Sequence, residues 1–289
     1  MKTAAVSSSF NEYDLLDSFR RRVDEYHAEI DWHIIVDNLS DDRYRELLRK
    51  TFPDSIILER FSNGGTTAAF NDGIKYALAE GAEAVLLITQ DIRLPADSLM
   101  ELKNLLASRP KAGIVGPVLL KPDMKTIEEF GGTINQRTLE ITKNYAGRLI
   151  NDDLPEEMKV DFIAGGMNLT RREVFEQIGL QDESLFMYCD ELDFDYRAKK
   201  TGWELITTQR AKAVHEHPGE ASFFKPYSLF LMTRNHLWVV RKHLGRSATL
   251  RVALSKLKKF PRFTAGMVKH GRAMTALAYG WGIVKGLSG

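Results

Sequence analysis

Twelve residues, Phe186-Met187-Tyr188-Cys189-Asp190-Glu191-Leu192-Asp193-Phe194-Asp195-Tyr196-Arg197, set four carboxylates and an arginine among large apolar side chains. A solvated face does not need so many apolar neighbours, and a sealed core does not tolerate so many acids. The mixture suits a cleft wall where one carboxylate is desolvated enough to act as a base. A second acidic point, Asp91, lies far upstream in Thr89-Gln90-Asp91-Ile92, directly after the apolar run Ala84-Val85-Leu86-Leu87-Ile88. Two acidic sites so far apart, each following an apolar run, point to a metal ion and a base converging on one substrate.

The elements that must position them alternate in type. Ala4-Ala5-Val6-Ser7, Trp32–Val36, Ser55–Glu59, Ala84–Ile88 and Gly113–Gly116 read as strands. Between them, Leu15, Leu16, Phe19, Val23 and Tyr26 recur at helical spacing, Tyr44, Leu47 and Leu48 fit a second helix, and Thr66–Glu80 a third that stops at Gly81. Pro95 opens a fourth, over Leu99–Leu106. This order predicts an α/β fold with a mostly parallel sheet flanked by helices. Ligands in such sheets bind beyond the carboxyl ends of the strands. Ser7–Asn11, Asp37–Ser40, Phe61–Gly65 and Thr89–Arg93 lie there, and each is polar or Gly-rich. From 126 to 160 the pattern loosens into meandering strands and loops over the open edge. No Gly-x-Gly-x-x-Gly and no P-loop pattern occurs, so neither dinucleotide nor P-loop phosphate binding is signalled.

The chain has 289 residues, 44% hydrophobic and 27% charged, which is globular composition. A single cysteine, Cys189, excludes an intrachain disulfide and a multi-cysteine zinc site and fits a reducing compartment. It reads as a packed small hydrophobe rather than a nucleophile. No secretion signal and no run of 18 apolar residues is present, so a cytoplasmic location is expected. The net charge of +1 conceals an asymmetry. Residues 241–289 carry eleven Lys/Arg and no acid, while 1–240 carry 29 bases against 39 acids. The basic stretch also holds Leu254, Leu257, Phe260, Phe263, Met267, Leu277, Tyr279 and Trp281. That combination suits an anionic lipid surface better than nucleic acid, with a basic helical hairpin packed on the acidic body as the alternative. The expected division is a catalytic domain over 1–240 and a basic amphipathic helical region over 241–289, holding the protein peripherally at the inner face of the cell membrane.

The ordered motifs resemble family-2 glycosyltransferases with the GT-A fold, among them the rhamnosyltransferase-like enzymes of bacterial polysaccharide synthesis. Val36-Asp37-Asn38-Leu39-Ser40-Asp41-Asp42 is similar to the family's Val-Asp-Asn-x-Ser-x-Asp element, and Asn63-Gly64-Gly65 through Asn71-Asp72-Gly73-Ile74 to its Asn-x-Gly stretches. Thr89-Gln90-Asp91 stands where the family carries its metal motif. Phe162–Met167 resembles the acceptor-side Gly-Gly loop. Asp190-Glu191-Leu192-Asp193 with Arg197 resembles the catalytic segment, and His215 with Arg234-Asn235 the downstream His…Arg-Asn pattern. The resemblance covers 1–240. It departs at Thr89, which replaces the first motif acid, at the exchanged order Asp190-Glu191, and at Ser8-Ser9-Phe10-Asn11 in place of Thr-Tyr-Asn.

The resemblance implies an inverting transfer of a sugar from a nucleoside diphosphate to a glycan or lipid-linked glycan. Such a transfer must neutralise the departing diphosphate and take a proton from the acceptor. Asp91 is then the metal ligand for Mn2+ or Mg2+, or else a turn cap. His215 is a metal or diphosphate ligand, or a structural hydrogen-bonder. Glu191 is the first choice of base and Asp190 the second, or else both cap a helix that continues through Phe194 and Arg197. Asp37 accepts from the base of UDP or dTDP or caps a helix, and Asn63 and Gly64 let backbone approach the nucleotide. Ser8 and Gln90, from the strand-end clusters, are assigned to the same donor. Arg93 is a phosphate contact or a surface cation, and Arg234 pairs with the diphosphate. Gly165, Gly166 and Met167 form the acceptor loop, the glycines allowing close acceptor approach or else only a tight turn. The rival readings are a nucleotidyltransferase on a similar sheet and a nucleotide- or glycan-binding domain without turnover.

Overall fold

The computed structural model describes residues 1–151, 153–216 and 225–288. Its opening follows the expected alternation. β1 (Thr3–Ser9), α1 (Leu16–Tyr26), β2 (Trp32–Asp37), α2 (Asp42–Thr51), β3 (Ile56–Glu59), α3 (Gly65–Ala79) and β4 (Ala84–Ile88) form three consecutive β-α-β units. Their strands lie in the order β4-β1-β2-β3, all parallel.

Alternate residues of these strands face opposite ways, as the pleat requires. Ala5, Ile35, Leu86 and Ile88 pack on one side with Phe19, Val23 and Tyr26 of α1, Leu48 of α2, and Leu99 and Leu102 of α4 (Ser98–Ser108). Ala4, Val6, Ile34, Val36, Val85 and Leu87 pack on the other with Phe70 and Ile74 of α3. Each large aliphatic so enclosed contributes about 1.5–3 kcal/mol over its exposed state. That double burial explains the uninterrupted apolar runs in the sequence.

Beyond β4 the sheet becomes mixed. The very short β5 (Ile92–Arg93) and the long β6 (Ala112–Leu120) are followed by β7 (Ile127–Glu129), β8 (Gly132–Ile134), β9 (Ile141–Lys143) and β10 (Glu157–Val160). β8 and β9 pair with each other, and Gly132 of β8 also bridges to Phe162, so the loosened stretch does become short strands. β11 (Met167–Arg171) then inserts antiparallel between β4 and β6. α5 (Arg172–Ile178) and α6 (Asp190–Lys200) cover one face, and β12 (Glu204–His215) returns parallel to β6. The insertion of β11 is what brings the 162–166 loop beside the end of β4.

Two helices close the chain, α7 (Pro226–Lys269) and α8 (Ala273–Ser288). α7 breaks at Gly245, whose φ of 80° and ψ of 175° are not helical. The helix passes residue 240 without interruption. Leu237, Val240, Val252, Ala253 and Ile283 share one core with Leu139, Phe162, Leu185 and Leu192. The basic region is therefore a helical hairpin seated on the rest of the chain. Among the described residues no helix is long and apolar enough to cross a membrane.

Candidate active site

The cleft opens beyond the carboxyl ends of β1, β2 and β3. Its volume is about 370 Å³, and Ser8, Ser9, Phe10, Glu12, Asn38, Asn63, Gly65, Thr66, Phe186, Met187 and Tyr227 line it. The loops after β2 and β3 are tied together there. Asn38 Nδ2 donates to Asn63 Oδ1 at 2.9 Å, Gly64 N donates to Asn38 Oδ1 at 3.1 Å, and Gly65 N donates to Asn63 Oδ1 at 3.0 Å. Gln90 Nε2 donates to the Ser8 carbonyl at 3.1 Å, joining the ends of β4 and β1.

The Asp91 cluster adjoins this cleft. Asp91 Oδ1 accepts from Thr89 Oγ1 at 2.7 Å, and Asp91 Oδ2 lies 3.0 Å from His215 Nε2. His215 Nδ1 lies 3.1 Å from Glu128 Oε2, so the imidazole is gripped between two carboxylates. Burial opposes its charge, but Asp91 and Glu128 raise its pKa to about 9. Burial alone would raise Asp91, yet the hydrogen bonds from His215 and Thr89 hold it below its ordinary value. Glu12, which faces the cleft, behaves oppositely. Burial, reinforced by the charge of Asp91, lifts it to about 7.

Asp190 and Glu191 open α6, and the turn before them is strained. Phe186, Tyr188 and Cys189 adopt φ values of 66°, 69° and 63° without being glycine, each at a cost of order 1 kcal/mol. Two devices hold that turn. Asn235, fully buried in α7, points its amide nitrogen at the carbonyls of Leu185, Met187 and Tyr188 at 2.7, 2.8 and 2.9 Å. Gly65 has a φ of +75°, and a Cβ there would stand 1.9 Å from the Phe186 carbonyl oxygen, so only glycine admits the turn so close.

The loop over 162–167 joins both acidic sites. A Cβ on Gly165 would lie 2.9 Å from Glu191 Cβ, and one on Gly166 would lie 3.1 Å from Thr89 Oγ1. Thr89 N also donates to the Gly166 carbonyl at 3.0 Å. The two glycines thus pack consecutively against the base candidate and the Asp91 cluster. Buried Asp195 accepts from Ile163 N at 2.8 Å and buried Glu129 from Ala164 N at 3.2 Å, which fixes the approach to the loop. Burial, with the neighbouring Asp190 carboxylate adding, raises Glu191 well above the usual carboxylate range. Asp190 is raised too, mainly by burial. Asp193, one turn along, is held to about 2. Burial opposes this, but His243 at 2.7 Å, Lys242 at 2.9 Å and Arg197 at 2.9 Å outweigh it.

The structure thus gathers Ser8, Asn63, Gly64, Gln90, Asp91, His215, Gly165, Gly166, Asp190 and Glu191 around connected surfaces, and Met167 begins β11 beneath them. Three expected donor contacts are engaged elsewhere. Asp37 is wholly buried, with its carboxylate taken by Arg45 Nε at 3.0 Å and by the Ser40 amide. Arg93 turns to α1, where Nε meets Glu25 at 2.7 Å. Arg234 donates to Asn235 Oδ1 at 2.8 Å and stacks 4.3 Å from the Trp238 ring, supporting the clamp on the turn. Glu12, Glu128, Glu129 and Asp195 also border the site, and no motif in the sequence marks them. Asn11-Glu12 directly after β1 was the one usable signal.

Among the described residues no three His, Cys, Asp or Glu side chains are grouped to hold a metal ion alone. Asp91 offers a carboxylate, and His215, whose ring nitrogens face Asp91 and Glu128, offers an imidazole donor only where a bound Mn2+ or Mg2+ displaces the proton it shares with Asp91.

The fold has solved counterparts. The crystal structure of GalNAc-T7 with UDP, GalNAc and Mn2+ superposes with a TM-score of 0.64 at 14% identity, covering 83% of this chain and 48% of that one. A sheet of this topology with a polar cleft at its carboxyl edge is thus of the glycosyltransferase GT-A kind. Residues 5–179 match glycosyl transferase family 2, and the chain belongs to that family. Among curated relatives, the low-salt glycan biosynthesis hexosyltransferase Agl10 of Haloferax volcanii is 28% identical over 207 residues, spanning 70% of this chain and 64% of the relative. The N-acetylglucosaminyl-diphospho-decaprenol L-rhamnosyltransferase of Mycobacterium tuberculosis is 25% identical over 236 residues, spanning 71% and 76%.

Proposed function

We propose that this chain moves a hexosyl or rhamnosyl group from a nucleoside-diphosphate sugar, UDP- or dTDP-linked, to a hydroxyl of a glycan or lipid-linked glycan, with inversion. The observation that carries the reading is the consecutive packing of Gly165 on Glu191 and of Gly166 on Thr89, beside the strand-end cleft. It sets a desolvated carboxyl and the Asp91–His215 pair on either side of one small surface where an acceptor fits. Glu191 takes the acceptor proton, and burial, with the Asp190 carboxylate beside it, raises its pKa and so its strength as a base. The cleft holds the nucleotide, with Asn38 and Asn63 presenting amides. Asp91 and His215 would hold a divalent ion, which supplies charge neutralisation for the departing diphosphate. The relatives' printed activities, on hexosyl and on lipid-diphosphate-linked substrates, support the substrate class.

The same reading covers attachment. Met274, Leu277, Trp281 and Val284 are exposed along one side of α8, and Leu250, Leu254 and Leu257 along α7, amid the eleven basic residues of 241–289. We assign this side to an anionic membrane at its cytoplasmic face. The test of the donor site is calorimetric titration of UDP, dTDP and GDP with and without Mn2+. Metal-dependent binding of one diphosphate is expected. No binding of any of the three would leave a binding domain without turnover, the reading that Thr89 in place of the first motif acid favours.

A further inference from the structure

Three consecutive arginines lie on α1, and only the last is buried. Leu16, Phe19, Val23 and Tyr26 form the apolar side of that helix, and Arg22 falls within it at 5% exposure, while Arg20 is half-buried and Arg21 exposed. A guanidinium withdrawn from water is costly unless its donors find acceptors. Arg22 finds two. Its Nε and one terminal nitrogen lie 2.8 and 2.6 Å from Glu216 Oε2, and the other terminal nitrogen donates to the Gln90 carbonyl. Gln90 directly precedes Asp91 after β4, and Glu216 directly follows His215 at the end of β12. Glu216 N in turn donates to the Asp91 carbonyl at 3.0 Å. One turn along α1, Glu25 takes Arg93 of β5, the short strand that pairs with β12 through Ile92–His215 and Arg93–Val214.

We propose that Arg22 is a positioning residue for the divalent-metal site: one guanidinium, bound to the chain before Asp91 and to the side chain after His215, holds those two groups at the separation a shared ion needs. This rests on the metal reading of the pair given above. The sheet itself does not set that separation. β6 and β11 lie between β12 and β4, so the two strands run about 14 Å apart, three strand spacings. The chain leaving β4 has to cross past β11 and β6 before it pairs as β5 with β12, and Arg22 fastens that crossing at Gln90 and Glu216. Asp91 and His215, 124 residues apart in sequence, then meet at 3.0 Å. A guanidinium carries donors only, so Arg22 cannot ligate an ion and acts through its neighbours. Stability alone is a weak reason for an arginine here, because apolar side chains replace most buried ion pairs without loss. A planar fork that reaches a carboxylate and a carbonyl at once is a specific one.

The test uses the full chain, with Mn2+ titrated by electron paramagnetic resonance at saturating UDP, dTDP or GDP, whichever binds in the calorimetry above. R22M should lower Mn2+ affinity about tenfold, the scale set by removing a group that orients a metal ligand, and leave the weaker metal-free affinity for that diphosphate unchanged. R22K keeps one of the two partners and should fall between R22M and the unaltered protein. R22M/E216Q also removes the charge left behind, so it should fold cooperatively and still show the loss. Equal Mn2+ affinity in R22M/E216Q and the unaltered protein, or an equal loss of metal-free diphosphate affinity, would overturn the assignment. A second readout needs no metal. The His215 ring nitrogens lie 3.0 and 3.1 Å from Asp91 and Glu128, and nitrogen–proton correlation spectra of the ring should shift in R22M. If they shift while no variant binds Mn2+, Arg22 stands as the support of the Asp91–His215 pair and the metal reading falls. If they do not move, the positioning role falls whatever the metal does.

Discussion

Asp91 and Glu191 face one another across two glycines, yet the protein treats them oppositely. Both are removed from water, which by itself raises any carboxyl. Asp91 meets the His215 imidazole and the Thr89 hydroxyl and is held below its ordinary pKa; Glu191 meets another carboxylate and is pushed up. The contrast recurs in pairs. Asp193, ringed by Arg197, Lys242 and His243, resembles Asp91, whereas Glu12 in the open cleft resembles Glu191. What separates the two classes is whether a cation is packed alongside. Groups whose surroundings drive their pKa values apart are those able to divide acid–base work from charge holding.

The sharpest way to break this comparison is E191Q. Turnover should fall about 10²–10⁴-fold with donor affinity unchanged. In the unaltered enzyme kcat/KM should rise with pH along an acid limb lying above the usual carboxylate range. If D190N moves that limb to lower pH, the like-charge neighbour is confirmed as a cause; if E191Q retains full turnover, the assignment is lost. Next comes the partnered class. D193N removes the carboxylate on which Arg197 and His243 converge and which Lys242 shares with Asp182, and should destabilise by about 3 kcal/mol in urea unfolding. Because the folded pKa near 2 lies below the ordinary 3.8, the contribution of Asp193 is present above pH 3.8 and disappears as pH falls towards 2. The smallest effect belongs to Glu12. Its folded pKa near 7 exceeds the ordinary 4.5, so it costs stability as pH rises from 4.5 through 7. E12Q should flatten that slope and be about 1–3 kcal/mol more stable at pH 8. An unchanged slope in E12Q would place Glu12 outside the desolvated class.

Much of this arrangement is legible along the chain. The first three β-α-β units follow from apolar runs and helical spacing, because strands buried on both faces must be apolar throughout. Asp91 and the 190–191 pair stand out by type and position. What escapes is whatever depends on partners distant in sequence. Nothing local ties His215 to Glu128 or Arg93 to Glu25. The left-handed turn at Phe186, Tyr188 and Cys189 is hidden for another reason, since none of its residues is glycine and its shape is imposed by Asn235 from α7. The antiparallel insertion of β11 is likewise decided by which sheet edge is open once the first strands have paired.

The Asn235 clamp makes the chain's two halves hard to trade independently. A protein of this design meets new acceptors most simply by exchanging its last helices for others. Here the helix that would be exchanged also dictates the backbone shape on which the base is mounted. Any substitute must restore a buried amide at the same point and offer its carbonyl to a supporting arginine. Diversification is thereby steered beyond Gly245, where the helix already breaks and a replacement hairpin joins without disturbing the turn.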